Sequence, residues 1–211
     1  MINLNRLKNE QLLLAKKIIL KDSVKKIKTI GGCDNAFFKD KIISAIVVLD
    51  YKTLEIIEKK NIISKIKFPY IPGYLSYREL PGIIKTYKKL KNKPNILLCD
   101  FNGILHPRKI GAASHLGIKL DIPTIGIAKN LLCGKKTNNY VFVNNEKRGY
   151  VLKRKKYKPI FISPGHKITL NTSVKIVKRC LKNKIPEPIK LAHNFANKIK
   201  DENKKNKQRK I

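Results

Sequence analysis

The chain has 211 residues, of which 42% are hydrophobic, and its 48 basic and 14 acidic side chains give a formal net charge of +34. That length suits one domain with a core of its own, and the apolar fraction excludes a chain too polar to fold. No apolar run reaches the roughly 18 residues that suggest a membrane span, and the opening residues, Met1-Ile2-Asn3-Leu4-Asn5-Arg6, lack the apolar stretch of a secretory signal, so a cytoplasmic protein with no membrane partner is expected.

Residues 4–26 predict a helix, with Leu7, Leu12, Leu13, Ala15, Ile18 and Ile19 as its apolar stripe. A strand-like stretch at 27–38 carries Gly31-Gly32-Cys33-Asp34. Residues 42–49 are a nearly continuous apolar run rich in β-branched side chains, the pattern of a strand buried on both faces. A turn at Asp50-Tyr51-Lys52 leads to a third strand at 53–60, marked as an edge by Glu55 and Glu58, and the three form an antiparallel meander. A loop around Pro69-Tyr70-Ile71-Pro72-Gly73 precedes a helix at 77–90. Residues 96–99 are a short buried strand that ends at Asp100, residues 112–117 a short helix, and residues 124–128 another strand. The segment 135–161 alternates Lys and Tyr with apolar residues and adds hairpins, and helices at 173–182 and 187–200 close the domain. Residues 1–200 thus read as a single domain, and the Lys-rich residues 201–211 as a disordered tail. Three strands, then alternating helices and strands, then helices, is an α/β order with a central mixed β-sheet flanked by helices. It is the order expected of an RNase H-like fold.

The four cysteines, Cys33, Cys99, Cys133 and Cys180, form no C-x-x-C pair and read as reduced thiols, not as zinc ligands or a disulfide framework. The charge favours a polyanion, with nucleic acid the first candidate. A Lys-, Ile- and Asn-rich, Arg-poor chain also fits drift in an AT-rich genome, so charge alone does not separate an enzyme from a non-catalytic basic nucleic-acid-binding protein. It does make the acids informative. Asp34 lies in the first strand, Asp100 at the end of the fourth, and Glu79 at the start of the helix between them. If strands one and four are neighbours, the two aspartates face one another, and clustered carboxylates repel unless a cation sits between them. Oxygen-only ligation of this kind suits Mg²⁺. Taken singly, each acid is more simply a helix cap or a surface ion pair.

The surrounding motifs reverse that balance. They are G-G-C-D at 31–34, P-Y-I-P-G-Y-L-S-Y-R-E at 69–79, H-P-R-K-I-G-A-A-S-H-L-G at 106–117, I-P-T-I-G-I-A-K at 122–129, G-H at 165–166 and P-E-P-I-K-L-A-H at 186–193. Small residues at this density let a backbone approach a flat ligand. Together, from Gly31 to His193, these motifs closely resemble the endonuclease V family, which nicks nucleic acid near deaminated adenine.

The resemblance implies roles residue by residue. Asp34 and Asp100 match metal ligands, with His193 near the metal, through water. Glu79 matches the third acidic catalytic residue, and His106 and Lys129 the residues that hold the scissile phosphate and support the attacking water. Pro69, Tyr70, Ile71 and Pro72 match a strand-separating wedge, in which two prolines stiffen the loop and an aromatic ring replaces lost base stacking. Gly73, Leu75, Gly111, Gly126 and Ala128 match a base pocket that reads hypoxanthine mainly through backbone groups. The implied activity is Mg²⁺-dependent hydrolysis, with Mn²⁺ as a substitute, of the second phosphodiester bond 3′ to deoxyinosine in DNA, by a monomer. Inosine-specific cleavage of single-stranded RNA is the alternative. Two departures stand out: Phe101-Asn102 precede Gly103 where the family has Gly directly after the aspartate, and the stretch between Lys129 and His166 is short.

Overall fold

A computed structural model of the chain describes residues 2–208, with side chains through Lys205. One nine-stranded sheet runs through the whole domain. Helix α1 (Leu4–Ala15) precedes the meander β1 (Thr29–Phe38), β2 (Lys41–Asp50) and β3 (Ile56–Lys65). Helix α2 (Leu75–Lys88), β4 (Ile96–Cys99), α3 (Ala112–Leu120) and β5 (Thr124–Ala128) follow. The strands β6 (Lys135–Thr137), β7 (Tyr140–Val143), β8 (Glu146–Arg154) and β9 (Tyr157–His166) then lead to α4 (Leu170–Arg179) and α5 (Glu187–Gln208). The strand order is β3-β2-β1-β4-β5-β9-β8-β7-β6. β1 pairs antiparallel with β2 and parallel with β4, and β4 pairs parallel with β5. This is the expected RNase H-like arrangement, extended by the β6–β9 meander.

The continuous apolar run of β2 is explained by helices on both sides of it. Ile46 and Val48 pack with Leu80 and Ile83 of α2 and Leu116 of α3. Val47 and Leu49 face the other way, in a cluster with Ile176 and Val177 of α4 and Ile189 and Ala192 of α5. Side chains alternate between faces along a strand, so both sets must be apolar. The first turn of α5 lies directly on β1. A Cβ on Gly32 would sit 2.0 Å from the Pro188 carbonyl oxygen, so only glycine lets the helix come this near.

Three expectations change. The first helix ends at Ala15 and not near residue 26, because the next segment is bound as extended chain: Ile19 N donates to His166 Nδ1 at 3.3 Å and Lys167 N donates to Ile19 O at 2.6 Å. The third strand begins later, at Ile56, because Asp50 Oδ1 holds a turn by accepting from Lys52 N and Thr53 N. Residues 201–208 continue α5 instead of forming a disordered tail. Good helix formers carry on a helix already anchored by packing, helped by the Asp201–Lys204 ion pair at 3.4 Å. Residues 209–211 of the expected tail lie outside the described residues.

Candidate active site

The parallel register of β1 and β4 sets Cys33 against Cys99. The next residues, Asp34 and Asp100, therefore emerge side by side at one end of the sheet, and Asp100 N donates to Cys33 O at 3.4 Å. Glu79 reaches the same place from α2. Asn35 Nδ2 donates to Glu79 Oε2 at 2.9 Å, while Ser44 Oγ donates to Asn35 Oδ1 at 2.5 Å. Asp34 is 7% exposed and Glu79 8%. Burial, with Asp100 second, raises the Asp34 carboxyl above the usual range against the hydrogen bonds from His193 and Asn35 N. Burial also pushes Glu79 up to about 7, with the Asn35 hydrogen bond opposing and the two aspartates adding to the rise.

Two basic side chains close on this cluster. Lys129 Nζ, at the end of β5, donates to Asp100 Oδ2 at 2.7 Å. Burial pulls its pKa down, but the bond and charge of Asp100 outweigh burial and leave it raised. His193 Nδ1 lies 2.7 Å from Asp34 Oδ2, and Asn197 Nδ2 lies 3.1 Å from His193 Nε2. An amide nitrogen can only donate, so this network assigns Nε2 as acceptor and Nδ1–H as the donor to Asp34.

The donor set suits a hard cation. Two carboxylates crowd together, burial and then the Asp100 charge raise the Asp34 pKa, and a cation would relieve the repulsion. Among the described residues no three His, Cys, Asp or Glu side chains converge to enclose a metal ion. Such a site supplies one or two carboxylates and leaves the remaining positions to water and phosphate oxygen, which is how Mg²⁺ is commonly held.

Beside the carboxylates, on the α2–α3 side of the sheet, is a cavity of about 130 Å³. Tyr70, Ile71 and Pro72 line it, as do Gly73, Leu75 and Gly111 of the expected base pocket. Gly73 has φ +79°, a turn that an L side chain would strain. Pro69 precedes this stretch as an exposed loop residue, and the Tyr70 ring is 69% exposed. Gly126 and Ala128 do not line the cavity. Gly126 packs beneath the Phe101–Gly103 backbone, and Ala128 sits in a cluster with Leu105 and Phe161, so both support the site from β5. His106 is 4% exposed and forms part of the cavity wall, with Nδ1 accepting from Arg108 N at 3.2 Å. Burial, then the Arg108 charge, lowers its pKa to about 4, so the ring is neutral at pH 7.

Other residues of the site carried no signal readable before folding. Asn35 holds Glu79 only because β1 passes the start of α2. Arg108 joins three segments: its Nε donates to Gln11 Oε1 and its Nη2 to Gly73 O, both at 2.6 Å, and the guanidinium stacks over Tyr74 at 4.5 Å. Gln11, 1% exposed on a mostly exposed helix, also donates to Gly73 O, at 3.0 Å. The Arg lay within H-P-R-K, but its partners are 97 and 35 residues away.

Residues 13–194 match the family model described as Endonuclease V. The endonuclease V of Dictyoglomus turgidum is 45% identical over 196 residues, covering 88% of this chain and 86% of the relative. The crystal structure of the Bacillus subtilis endonuclease V superposes with a TM-score of 0.90 at 31% identity, covering 98% of this chain and 95% of that one. That of Ciona intestinalis endonuclease V, in complex with a 24mer DNA containing an inosine followed by a ribo-adenosine, gives 0.86 at 33% identity, covering 94% and 98%. Among the described residues no helix is long and apolar enough to cross a membrane. With fold, carboxylate cluster and sequence in agreement over most of its length, the chain belongs to the endonuclease V family of nucleases.

Proposed function

We propose that the protein recognises deoxyinosine in DNA and hydrolyses the second phosphodiester bond 3′ to it, leaving 3′-hydroxyl and 5′-phosphate ends. The observation that carries this reading is the cavity bordered by Tyr70, Ile71 and Pro72 beside the Asp34–Glu79–Asp100 cluster. The Ciona relative bound to inosine-containing DNA supports it. Tyr70 enters the stack at the lesion and the flipped base enters the cavity. Backbone groups around Gly73 and Gly111 meet the lactam edge of hypoxanthine, whose donor and acceptor pattern differs from that of adenine. Discrimination then follows from the penalty for leaving a buried polar group unpaired.

Asp34 and Asp100 would hold Mg²⁺, or Mn²⁺ in its place, which when bound activates water and neutralises charge on the leaving oxygen. His193 holds Asp34 in position by its hydrogen bond. Glu79, near neutrality in pKa and held by Asn35, takes a proton from the attacking water. Lys129 stands beside Asp100 as a cation for the scissile phosphate. His106, whose Nδ1 accepts from Arg108 N, presents Nε2–H as a hydrogen-bond donor to the scissile phosphate.

Oligonucleotides labelled at either end, with one deoxyinosine or one inosine in single-stranded RNA, test this. A single nick at the second bond 3′ to deoxyinosine, with an end that a polymerase extends, is expected. A cut at another bond, an alkali-labile abasic product, or cleavage of the RNA alone overturns it.

A further inference from the structure

The end of the sheet that carries the carboxylates continues sideways into a basic shelf. Lys129 directly follows the end of β5, and the antiparallel partner β9 begins beside it, with Ala128 paired to Phe161. The β8–β9 turn therefore projects at the same end, and it reads Lys153-Arg154-Lys155-Lys156-Tyr157-Lys158. Lys158 and Lys184, the latter from the α4–α5 loop, line one cavity with Lys129 itself. All the lysines of the turn are exposed, as are Lys182 and Lys184.

Folding assembles this charge deliberately. Arg154 ties the turn to the α4–α5 loop: its Nη1 donates to the Asn183 carbonyl and its Nη2 to the Lys184 carbonyl, and its guanidinium stacks on Tyr157 at 4.9 Å. The arginine is spent on holding two lysine-bearing segments together. Among the described residues no ion pair involves Lys153, Lys155, Lys156, Lys158, Lys182 or Lys184. Like charges fixed side by side without acidic partners repel, and an anionic partner would relieve that repulsion.

The position of the shelf says which anion. The base cavity opens between α2, α3 and the Pro69–Gly73 loop, on one side of the sheet. The shelf belongs to the opposite side, where Ile185 packs into the α4–α5 cluster. The carboxylates and Lys129 lie between them. A strand with its lesion in the cavity and its scissile bond at the carboxylates, running 5′ to 3′ past Lys129, arrives on the shelf. We infer that the basic shelf of the β8–β9 turn and the α4–α5 loop binds the sugar–phosphate backbone of the DNA strand on the 3′ side of the cut. The inference rests on the proposed deoxyinosine reading and adds the substrate's path to it.

The test compares deoxyinosine duplexes with a constant 5′ arm and either a short or a long 3′ arm, cut by wild type and by the triple variant Lys156→Gln, Lys158→Gln, Lys184→Gln. Lys65→Gln, on the outer strand β3, serves as the control for removing a lysine away from the shelf. For wild type, the long 3′ arm lowers KM. The triple variant loses that gain in KM and keeps its kcat. Three lost phosphate contacts lower the slope of log affinity against log salt by about 2–3, so from 50 to 200 mM salt wild type loses roughly 20- to 40-fold more affinity than the variant. A loss equal on the short-arm and long-arm substrates overturns the assignment, as does a variant that behaves like Lys65→Gln. Failure of wild type to nick any deoxyinosine substrate would instead strike the proposed function, which separates the two ideas.

Discussion

Replacing Glu79 with Gln separates the electrostatics of the site from its chemistry. Burial and the two aspartates push the carboxyl from its ordinary 4.5 up to about 7. At about 1.4 kcal/mol per pH unit, that rise costs the folded state about 3 kcal/mol once the group ionises. The sign is that of a raised acid: its share of stability is full below pH 4.5 and is lost as pH rises through about 7. Glu79→Gln removes the ionisation and keeps an acceptor for Asn35 Nδ2. With EDTA present at pH 8, the variant should be about 3 kcal/mol more stable, or roughly 6–12 °C higher in Tm for a domain of this size, and indistinguishable from wild type at pH 4. It should also cut deoxyinosine DNA at least 100-fold more slowly, the order of effect of a proton acceptor. Denaturant unfolding at the two pH values, run beside single-turnover nicking, gives both readouts. A gain of equal size at pH 4 and pH 8 would refute the electrostatic reasoning, because packing and not charge would then explain it.

The remaining predictions concern the neighbours of Glu79. Asp34→Asn or Asp100→Asn should reduce cleavage roughly 1000-fold or more, the effect of losing a metal-held water and leaving-group charge, while filter binding shows deoxyinosine DNA still bound. His193→Ala frees Asp34 from its 2.7 Å partner and should lower activity or metal affinity roughly 10- to 100-fold, measured as a shift in the Mg²⁺ dependence of the rate. Tyr70→Ala, at a position 69% exposed, should change stability by less than about 0.5 kcal/mol. Yet it should weaken cleavage of duplex substrate through the loss of about 1–3 kcal/mol of base stacking. A single-stranded substrate, which needs no strand separation, should suffer less.

The parts legible in the sequence were those with a local signal. The β-branched run of β2 announced a strand buried on both sides, and the acids stood out because so few are present in a chain of charge +34. The wedge loop and the glycines at 73 and 111 were legible from the resemblance, and Tyr70, Ile71, Pro72, Gly73 and Gly111 come together around one cavity. What stayed hidden depends on contacts made only by folding. Nothing in residues 16–26 says that Ile19 will pair with the end of β9 instead of extending α1. Asn35 looks like an ordinary strand residue until α2 delivers Glu79 to it. Motif membership does not say whether a β5 residue faces the cavity or supports it from below, and the packing of Gly126 and Ala128 became visible only in the fold. The helical continuation at 201–208 was missed because composition alone suggested a solvated tail, while the anchored turns before it favour one more stretch of helix.

The central claim is that a base-reading cavity and a carboxylate cluster act together on deoxyinosine DNA. Nicking of matched oligonucleotides containing deoxyinosine or adenine, by wild type and Asp34→Asn, with Mg²⁺ or with EDTA, tests it most directly. The account predicts cleavage only of the deoxyinosine strand, only by wild type and only with Mg²⁺. Binding of both strands with no cleavage under any condition would contradict it and leave the protein a basic nucleic-acid binder.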